Sequence, residues 1–484
     1  MTQNSPWKVQ KPVFSPRLPQ IRAMKMMVQE GGSRIFLKPG QGKTAAVLKA
    51  FQVLKKLGMV DCLLVLAPLR VVTTSWPQQI DFWQDFEGLT HTLIHGGQRA
   101  RREAMQEDVD VYLMNVEGLI GSEWKPGKTN SLNSIARDWL ADKRVMLVVD
   151  ESTKFKNPQS ARFKSLKAYL PYINRRVILT GTPRPGKLED LFAQCFITDL
   201  GADLGKFITH FRRHYMMPND NGFGYTEVPG AMERVAAKIA PTTVQIETEE
   251  VVPTEVTNFW LPMSPEVKAQ YNELKKEFLL SIQGKTVMAP NSGVLYGKLR
   301  QMAQGAVFDT PDCKPKGEKT PWIRIHDMKL DALENLLEEL NGEPAFCLYQ
   351  YSHDYERINE RLGYVVPRVG GGVSAAAGAL LCRAFAGGGI PLLLGHPQSV
   401  AHGVDGLQQA CKNVIWFGND PSWENYYQAN LRIVRPGTKA DQVNIYHLLM
   451  DCSVEKAILA KVTGKRDAEA NFLSSLREFL TSEE

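Results

Sequence analysis

Apolar residues in this chain fall in short unbroken runs that end in polar or glycine-containing turns. Residues 62–67 read CLLVLA, 145–149 read VMLVV and 176–179 read RVIL. Runs of this length, rich in Val, Ile and Leu, suit strands buried on both faces of a parallel sheet. Between them, apolar residues three and four apart mark helices packed on one side. The pattern predicts a helix over Leu18–Gln29, a strand over Ser33–Lys38 and a helix from about Thr44 to Leu57, stopped at Gly58. Strands follow over Cys62–Ala67, His91–His95 and Val109–Met114, then a polar loop over 121–137, then strands over Val145–Val149 and Arg176–Leu179. Strands alternating with helices mean a parallel α/β sheet.

From Lys187 to Arg300 the pattern changes. Helical periods run at 188–197, 203–215, 231–239 and 264–283, around a β-rich piece from Thr243 to Leu261. This is too long for a βα connection and reads as a mainly helical insertion on the first lobe. Residues 310–320, TPDCKPKGEKT, have the composition of a linker. A second α/β series then begins, with helices at 329–340, 353–362, 375–386 and 422–434, strands at 345–349, 364–368, 391–394, 414–417 and 443–449, and a last helix opened by Ser453. The expected organisation is a first lobe over 1–186, the insertion over 187–309, a linker over 310–322 and a second lobe over 323–484.

Composition changes this picture little. The net charge of +6 fits a polyanionic partner and equally an ordinary basic surface. Seven cysteines without a C-x-x-C pair give neither a disulfide framework nor a zinc site, which points to a reducing compartment. The start, MTQNSPWKVQKPVFSP, lacks the apolar stretch of a signal peptide, and 375–386 is too short to span a bilayer. A soluble cytoplasmic protein with no membrane partner is expected. Glu189-Asp190 and the acidic run 247–250 read as solvated surface, and Trp76, Trp260, Trp322, Trp416 and Trp423 as core or interface.

The candidate chemistry sits where predicted strands end. After the strand at 33–38 comes PGQGKT, residues 39–44, opening a helix. Glycines let backbone N–H groups approach phosphate oxygens, and the helix N-terminus adds positive potential. Gly40, Gln41 and Gly42 would cradle phosphates, Lys43 would reach the β and γ phosphates, and the Thr44 hydroxyl would ligate Mg²⁺. A strict phosphate loop has Gly where Leu37 stands, so only its second half is present. After 145–149 come Asp150 and Glu151, two carboxylates able to hold a hydrated cation and orient a water. Arg70, Thr73, Thr74 and Ser75 follow the strand at 62–67; they would contact nucleic-acid phosphates or cap and pack the next helix.

Taken together, these segments resemble superfamily-2 helicases, and more narrowly the Snf-type helicase-related ATPases in compact forms that phages and bacteria carry. PGQGKT is similar to motif I, APLRVVTTSW to motif Ia, DESTKFKN to motif II and LTGTP to motif III. YGKLRQMAQGAV, HDMKLDALENLLEEL and GLQQACKNVIWF resemble later family segments, and YYQANLRIVRPGTKADQVNIYHL resembles motif VI, with Gln428, Arg432 and Arg435 in its spacing. The likeness runs from about Leu18 to Leu459. It departs at Ser152-Thr153, where many relatives have Ala-His, and at 402–406, HGVDG, where remodellers tend to have Gly-Leu-Asn-Leu.

The resemblance implies two RecA-like parallel-sheet lobes, with ATP and Mg²⁺ as cofactors. Thr44 and Asp150 would hold the metal, Glu151 would polarise the attacking water and Gln20 would read adenine. Arg435 and Arg432 would act as arginine fingers beside Gln428; such a finger is worth ~10³–10⁵ in rate. Arg70, Ser75, Lys154, Lys156, Thr182, Arg184 and Ser399 would hold DNA, duplex rather than single-stranded, without sequence specificity. The implied activity is a DNA-dependent ATPase that translocates on or remodels duplex DNA. A strand-separating helicase of phage replication or recombination, the motor of a nuclease complex, and a non-hydrolysing scaffold are the alternatives.

Overall fold

A computed structural model describes residues 11–120, 132–184, 186–219, 224–246, 252–282, 292–309, 320–370, 372–401, 406–434, 438 and 440–465. The chain divides into two compact units, one up to residue 249 and one over 250–466.

The first unit is built on β1 (Gly32–Phe36), β2 (Cys62–Ala67), β3 (His91–Ile94), β4 (Val111–Asn115), β5 (Val145–Asp150) and β6 (Arg175–Thr180). After the hairpin of β7 (Met216–Pro218) and β8 (Tyr225–Glu227), β9 (Thr243–Gln245) completes the sheet. Its order is β3-β4-β2-β5-β6-β1-β9, and every pairing is parallel. The unbroken apolar runs have a direct cause. Along β5, Val145, Leu147 and Val149 enter the core on one face, while Met146 and Val148 enter the core on the other. Polar residues are excluded until Asp150, where the strand ends. The register sets Asp150 opposite Leu179 and Phe36 opposite Thr180, so β1, β5 and β6 finish level with one another. Ligands of such sheets bind beyond these carboxyl ends.

The second unit carries β10 (Thr254–Leu261), the antiparallel pair β11 (Ala306–Phe308) and β12 (Trp322–Arg324), and then β13 (Ala345–Leu348), β14 (Arg368–Val369), β15 (Leu392–Gly395), β16 (Asn413–Trp416) and β17 (Val443–Met450). Its sheet runs β10-β17-β16-β13-β15-β14, again parallel. The α/β architecture with two parallel-sheet lobes is as expected.

The expected insertion over 187–309 is divided. Helices Asp190–Asp199, Ile208–Tyr215 and Ala231–Ile239 stay with the first unit, whereas Pro265–Ile282 and Ser292–Gln304 join the second. The β-rich piece from 243 to 261 is two strands in two sheets. β9 pairs with β1, and β10, with its alternating burial, pairs with β17 along its whole length. Periodicity showed that strands were present but carried no information about which sheet would take them. Of the loop expected over 121–137, residues 132–137 belong to the helix Leu132–Asp142, and 121–131 lie outside the described residues. The strand expected at 364–368 begins only at Arg368, because Tyr364 and Val365 are exposed. Residues 310–319 of the expected linker lie outside the described residues, as do the acidic run 247–250, Arg435 and residues 402–405. Among the described residues no helix is long and apolar enough to cross a membrane.

Candidate active site

The loop from β1 to the helix Lys43–Lys56 turns on two glycines in the left-handed region, Gly40 at φ 82° and Gly42 at φ 72°. A side chain at 42 would face strain from its φ and from its surroundings, since a Cβ there would stand 2.1 Å from Gln20 Nε2. Gln41 is buried, and its Oε1 accepts from Lys38 N at 2.9 Å, which closes the loop on itself. Lys43 Nζ donates to the carbonyls of Leu37 at 2.7 Å and Lys38 at 3.3 Å. Gln20 braces the outside: its Nε2 donates to Gly42 O at 3.3 Å and its Oε1 accepts from Arg17 N at 2.8 Å. Thr44 follows Lys43 in the first turn of the helix, half-buried.

At the end of β5, Asp150 is buried, and its Oδ2 accepts from the Trp76 indole Nε1 at 3.1 Å. Its Oδ1 accepts from Glu151 N at 3.1 Å. Burial pushes the Asp150 carboxyl above the ordinary carboxylate value, and the Lys43 ammonium and Trp76 indole pull it back down. Glu151 has φ 57°, a left-handed conformation that costs a non-glycine residue energy and is held by its surroundings. Ser152 and Thr153 are both buried, and Ser152 Oγ donates to Gln194 Oε1 at 2.8 Å.

The turn after β6 completes the group. Thr182 N donates to Thr180 Oγ1 at 3.0 Å. Gly181 lies against the loop after β1, where a Cβ would come within 2.9 Å of Pro39 Cδ. The fold therefore brings Lys43, Asp150, Glu151 and the Thr180–Thr182 turn to one sheet edge. The glycine-walled loop and the buried carboxylate within the Lys43 field have the donor chemistry of a metal–nucleotide site. Among the described residues no group of three or more His, Cys, Asp or Glu side chains forms a self-sufficient metal cage.

The expected nucleic-acid contacts divide. Arg70 and Ser75, in the helical segment that follows β2, and Lys154 and Lys156, in and just after the short helical turn Ser152–Phe155 beyond β5, are partly exposed. Thr73 and Thr74 bond backbone instead, Thr73 Oγ1 donating to Leu69 O at 2.9 Å and Thr74 Oγ1 to Arg70 O at 2.6 Å. Thr182 is buried, so its hydroxyl is not offered to a backbone phosphate. Arg184 is also withdrawn: it is buried and ion-paired with Glu227, whose Oε1 also accepts from Leu188 N at 3.1 Å. Glu189 and Asp190 are not solvated surface. Glu189 is buried between Lys187, at 2.7 Å, and Arg212, at 2.6 Å. Its carboxyl is held below the ordinary value because these two cations outweigh its burial.

In the second unit, Ser399 is half-buried on the short helix Pro397–Ala401. Gln428 is buried on the helix Trp423–Asn430, and Arg432 is half-buried in the turns that follow.

Two residues at the first-unit site escaped sequence reasoning, Trp76 and Gln194. From the sequence Trp76 reads as core or interface, with no hint of a polar partner. A buried tryptophan needs a partner for its indole N–H, and this one follows β2, the neighbour of β5, so the carboxylate ending β5 was within reach. Gln194 had no local signal at all.

The family model described as SNF2-related domain matches residues 20–304. "Putative protein p41" of Acyrthosiphon pisum secondary endosymbiont phage 1 is 26% identical over 96% of this chain and 99% of its own length. A "Chromodomain-helicase-DNA-binding protein 3 homolog" of Caenorhabditis elegans is 32% identical over 32% of this chain, which spans 9% of that protein. The "ISWI chromatin-remodeling complex ATPase ISW1" of Saccharomyces cerevisiae is 21% identical over 88% of this chain, which spans 37% of that protein. Among solved structures, the "Sulfolobus solfataricus SWI2/SNF2 ATPase core in complex with dsDNA" is 21% identical, with a TM-score of 0.42 over 97% of this chain and 96% of that one.

Proposed function

This chain belongs to the SNF2-related domain family, and from that membership we propose that it is a DNA-dependent ATPase that translocates on or remodels duplex DNA. The observation that carries the proposal is the convergence at one sheet edge of the Lys43 loop, the Asp150–Glu151 turn and the Thr180–Thr182 turn, with Gly181 seated on Pro39. Two relatives, a chromatin-remodelling complex ATPase and a chromodomain-helicase-DNA-binding protein homolog, point the same way.

Phosphoryl transfer to water needs positioning and charge neutralisation more than covalent chemistry. The backbone N–H groups of residues 40–44 and the Lys43 ammonium hold the β and γ phosphates. Thr44 and Asp150 would hold Mg²⁺, which when bound neutralises charge on the phosphate oxygens. Trp76 fixes the rotation of the Asp150 carboxylate. Glu151, held in a left-handed backbone conformation, polarises the attacking water. Arg432 and Arg435 are the candidate arginine fingers by their motif VI spacing alone. Arg70, Ser75, Lys154 and Lys156 lie beyond strands of the same sheet, and with Ser399 they grip phosphates without reading bases.

The test is ATP turnover against duplex DNA, single-stranded DNA and RNA, together with displacement of a triplex-forming strand. Stimulation by duplex and triplex displacement are expected. Turnover indifferent to every nucleic acid would sink the DNA dependence. Fork unwinding without triplex displacement would replace translocation by strand separation.

A further inference from the structure

The helix Asp190–Asp199 packs behind the site, and one of its side chains reaches both strand-end turns. Gln194 is fully buried, and its amide is engaged at three points. Nε2 donates to Pro183 O at 2.8 Å and to Asp190 O at 2.7 Å, while Oε1 accepts from Ser152 Oγ at 2.8 Å. The two carbonyls settle the orientation of the amide, because a flipped amide would set its oxygen against both. They also settle the direction of the third bond. Ser152 must donate, since Oε1 has no hydrogen to give.

Ser152 immediately follows Glu151, the residue held at φ 57°. Pro183 immediately follows Thr182, whose N–H closes the turn onto Thr180 Oγ1 at 3.0 Å. Gln194 thus ties the hydroxyl of Ser152, the residue after Glu151, to the carbonyl of Pro183, the residue after Thr182, and through Gly181 the second turn rests on the loop at 39–44. A left-handed non-glycine residue persists only where its surroundings over-determine it, and Gln194 supplies one of those determinants.

We propose that Gln194 is a positioning residue: through Ser152 it holds Glu151 in its left-handed conformation and keeps the carboxylate turn in register with the Thr180–Pro183 turn. The proposal rests on the ATPase reading above and adds to it a residue of the helix Asp190–Asp199. Loss of the tie lets the Glu151 peptide relax and misplaces the water it orients. Phosphate binding, carried by the loop at 40–44, is left standing.

The experiment is a double-mutant cycle of Ser152→Ala, Gln194→Leu and both together, with kcat and the KM for ATP measured under nucleic-acid stimulation and Tm measured on each protein. Misplacement of a reacting group by about an ångström lowers kcat by ~10–100-fold. That loss is expected for Gln194→Leu, with the KM for ATP within about twofold of the parent. The double variant should be no slower than Gln194→Leu alone, because both changes cut one connection. Ser152→Ala removes a single hydroxyl, so it reports even where Gln194→Leu fails to fold, and it should lower kcat without raising KM. Absence of turnover in the parent chain overturns the ATPase reading and the inference with it. Turnover in the parent with kcat unchanged in the folded variants, losses that multiply in the double, or a loss confined to KM overturns the Gln194 assignment alone.

Discussion

Both units present buried charge near the carboxyl ends of a parallel sheet, but they neutralise it differently. In the first, the Lys43 ammonium rests on the backbone carbonyls of Leu37 and Lys38, and the Asp150 carboxylate is steadied by an indole and a peptide N–H. In the second, Lys329 is fully buried against Glu455 at 2.7 Å, with Gln304 Oε1 at 3.2 Å and Phe417 O at 3.1 Å completing its donors. Arg357, equally buried, spans Gln304 O, His326 O and Asp327. Lys43 is only half-buried, so an arriving phosphate can reach its ammonium, whereas Lys329, sealed from solvent against a carboxylate, cannot be reached. The first arrangement suits exchange with an anionic ligand. The second fastens the Ser292–Gln304 segment, the helix Met328–Glu339 and the helix at 453–465 into one body.

If that contrast holds, the same kind of substitution does opposite things in the two units. Lys43→Ala and Glu151→Gln should each lower ATP turnover by ~10²–10⁴-fold while thermal unfolding stays close to that of the parent. Lys329→Met should strand the Glu455 carboxylate and cost about 3–5 kcal/mol of stability, seen as a lowered urea midpoint. The pair Lys329→Met with Glu455→Leu should recover most of that loss, because apolar residues of similar volume often replace a buried ion pair at little cost. A Lys329→Met protein as stable as the parent would erase the distinction between the two charge sets.

The second unit should also be the acid-sensitive one. Burial first, and the neighbouring Arg357 next, push the His326 imidazole down to about 4. Burial, with Lys329 behind it, does the same to His447, also to about 4. Both are neutral in the folded state at pH 5, where unfolded histidine, with an ordinary value near 6.5, is charged. The unfolded chain therefore takes up more protons between pH 6.5 and 4, and stability is lost as pH falls through that window, by on the order of 3 kcal/mol for each histidine. Urea unfolding followed from pH 7 to pH 4.5 reads this, and His447→Gln should flatten the slope by its share. A slope untouched by that substitution would remove His447 from the account.

The two units were also unequally legible. Cys62–Ala67 and Leu18–Gln29 fall on the residues expected, because an all-apolar run and an uninterrupted helical period each dictate one local structure. β9 and β10 were visible as strands, but their assignment to different sheets depends on pairing across about two hundred residues of sequence, which no local pattern encodes. At the site, Lys43 and Asp150 stood out because the phosphate loop and strand-end carboxylates have fixed local spacing. Thr182 and Arg184 were expected on DNA from the family resemblance alone, which carries no information on burial; the return of Glu227 on β8 shows why Arg184 turns inward. Gln194 was invisible for the same reason: its meaning lies in Ser152, forty-two positions earlier.

The smallest expected effect tests the finest part of the first-unit arrangement. Trp76→Phe keeps the buried ring and deletes only the N–H that meets Asp150 Oδ2, leaving Oδ1 its bond from Glu151 N. The fold should survive with a loss of about 1–3 kcal/mol, the usual cost of an unmet buried acceptor. What changes is the freedom of the carboxylate to rotate. Partners that orient a metal-binding group typically contribute ~10-fold or more to metal affinity or activity, so half-maximal turnover should require about tenfold more Mg²⁺, with kcat at saturating Mg²⁺ less affected. The opposite pattern, a lowered kcat with the Mg²⁺ requirement unchanged, would mean that Trp76 supports the Asp150–Glu151 turn as packing and leaves the orientation of the carboxylate to the backbone alone.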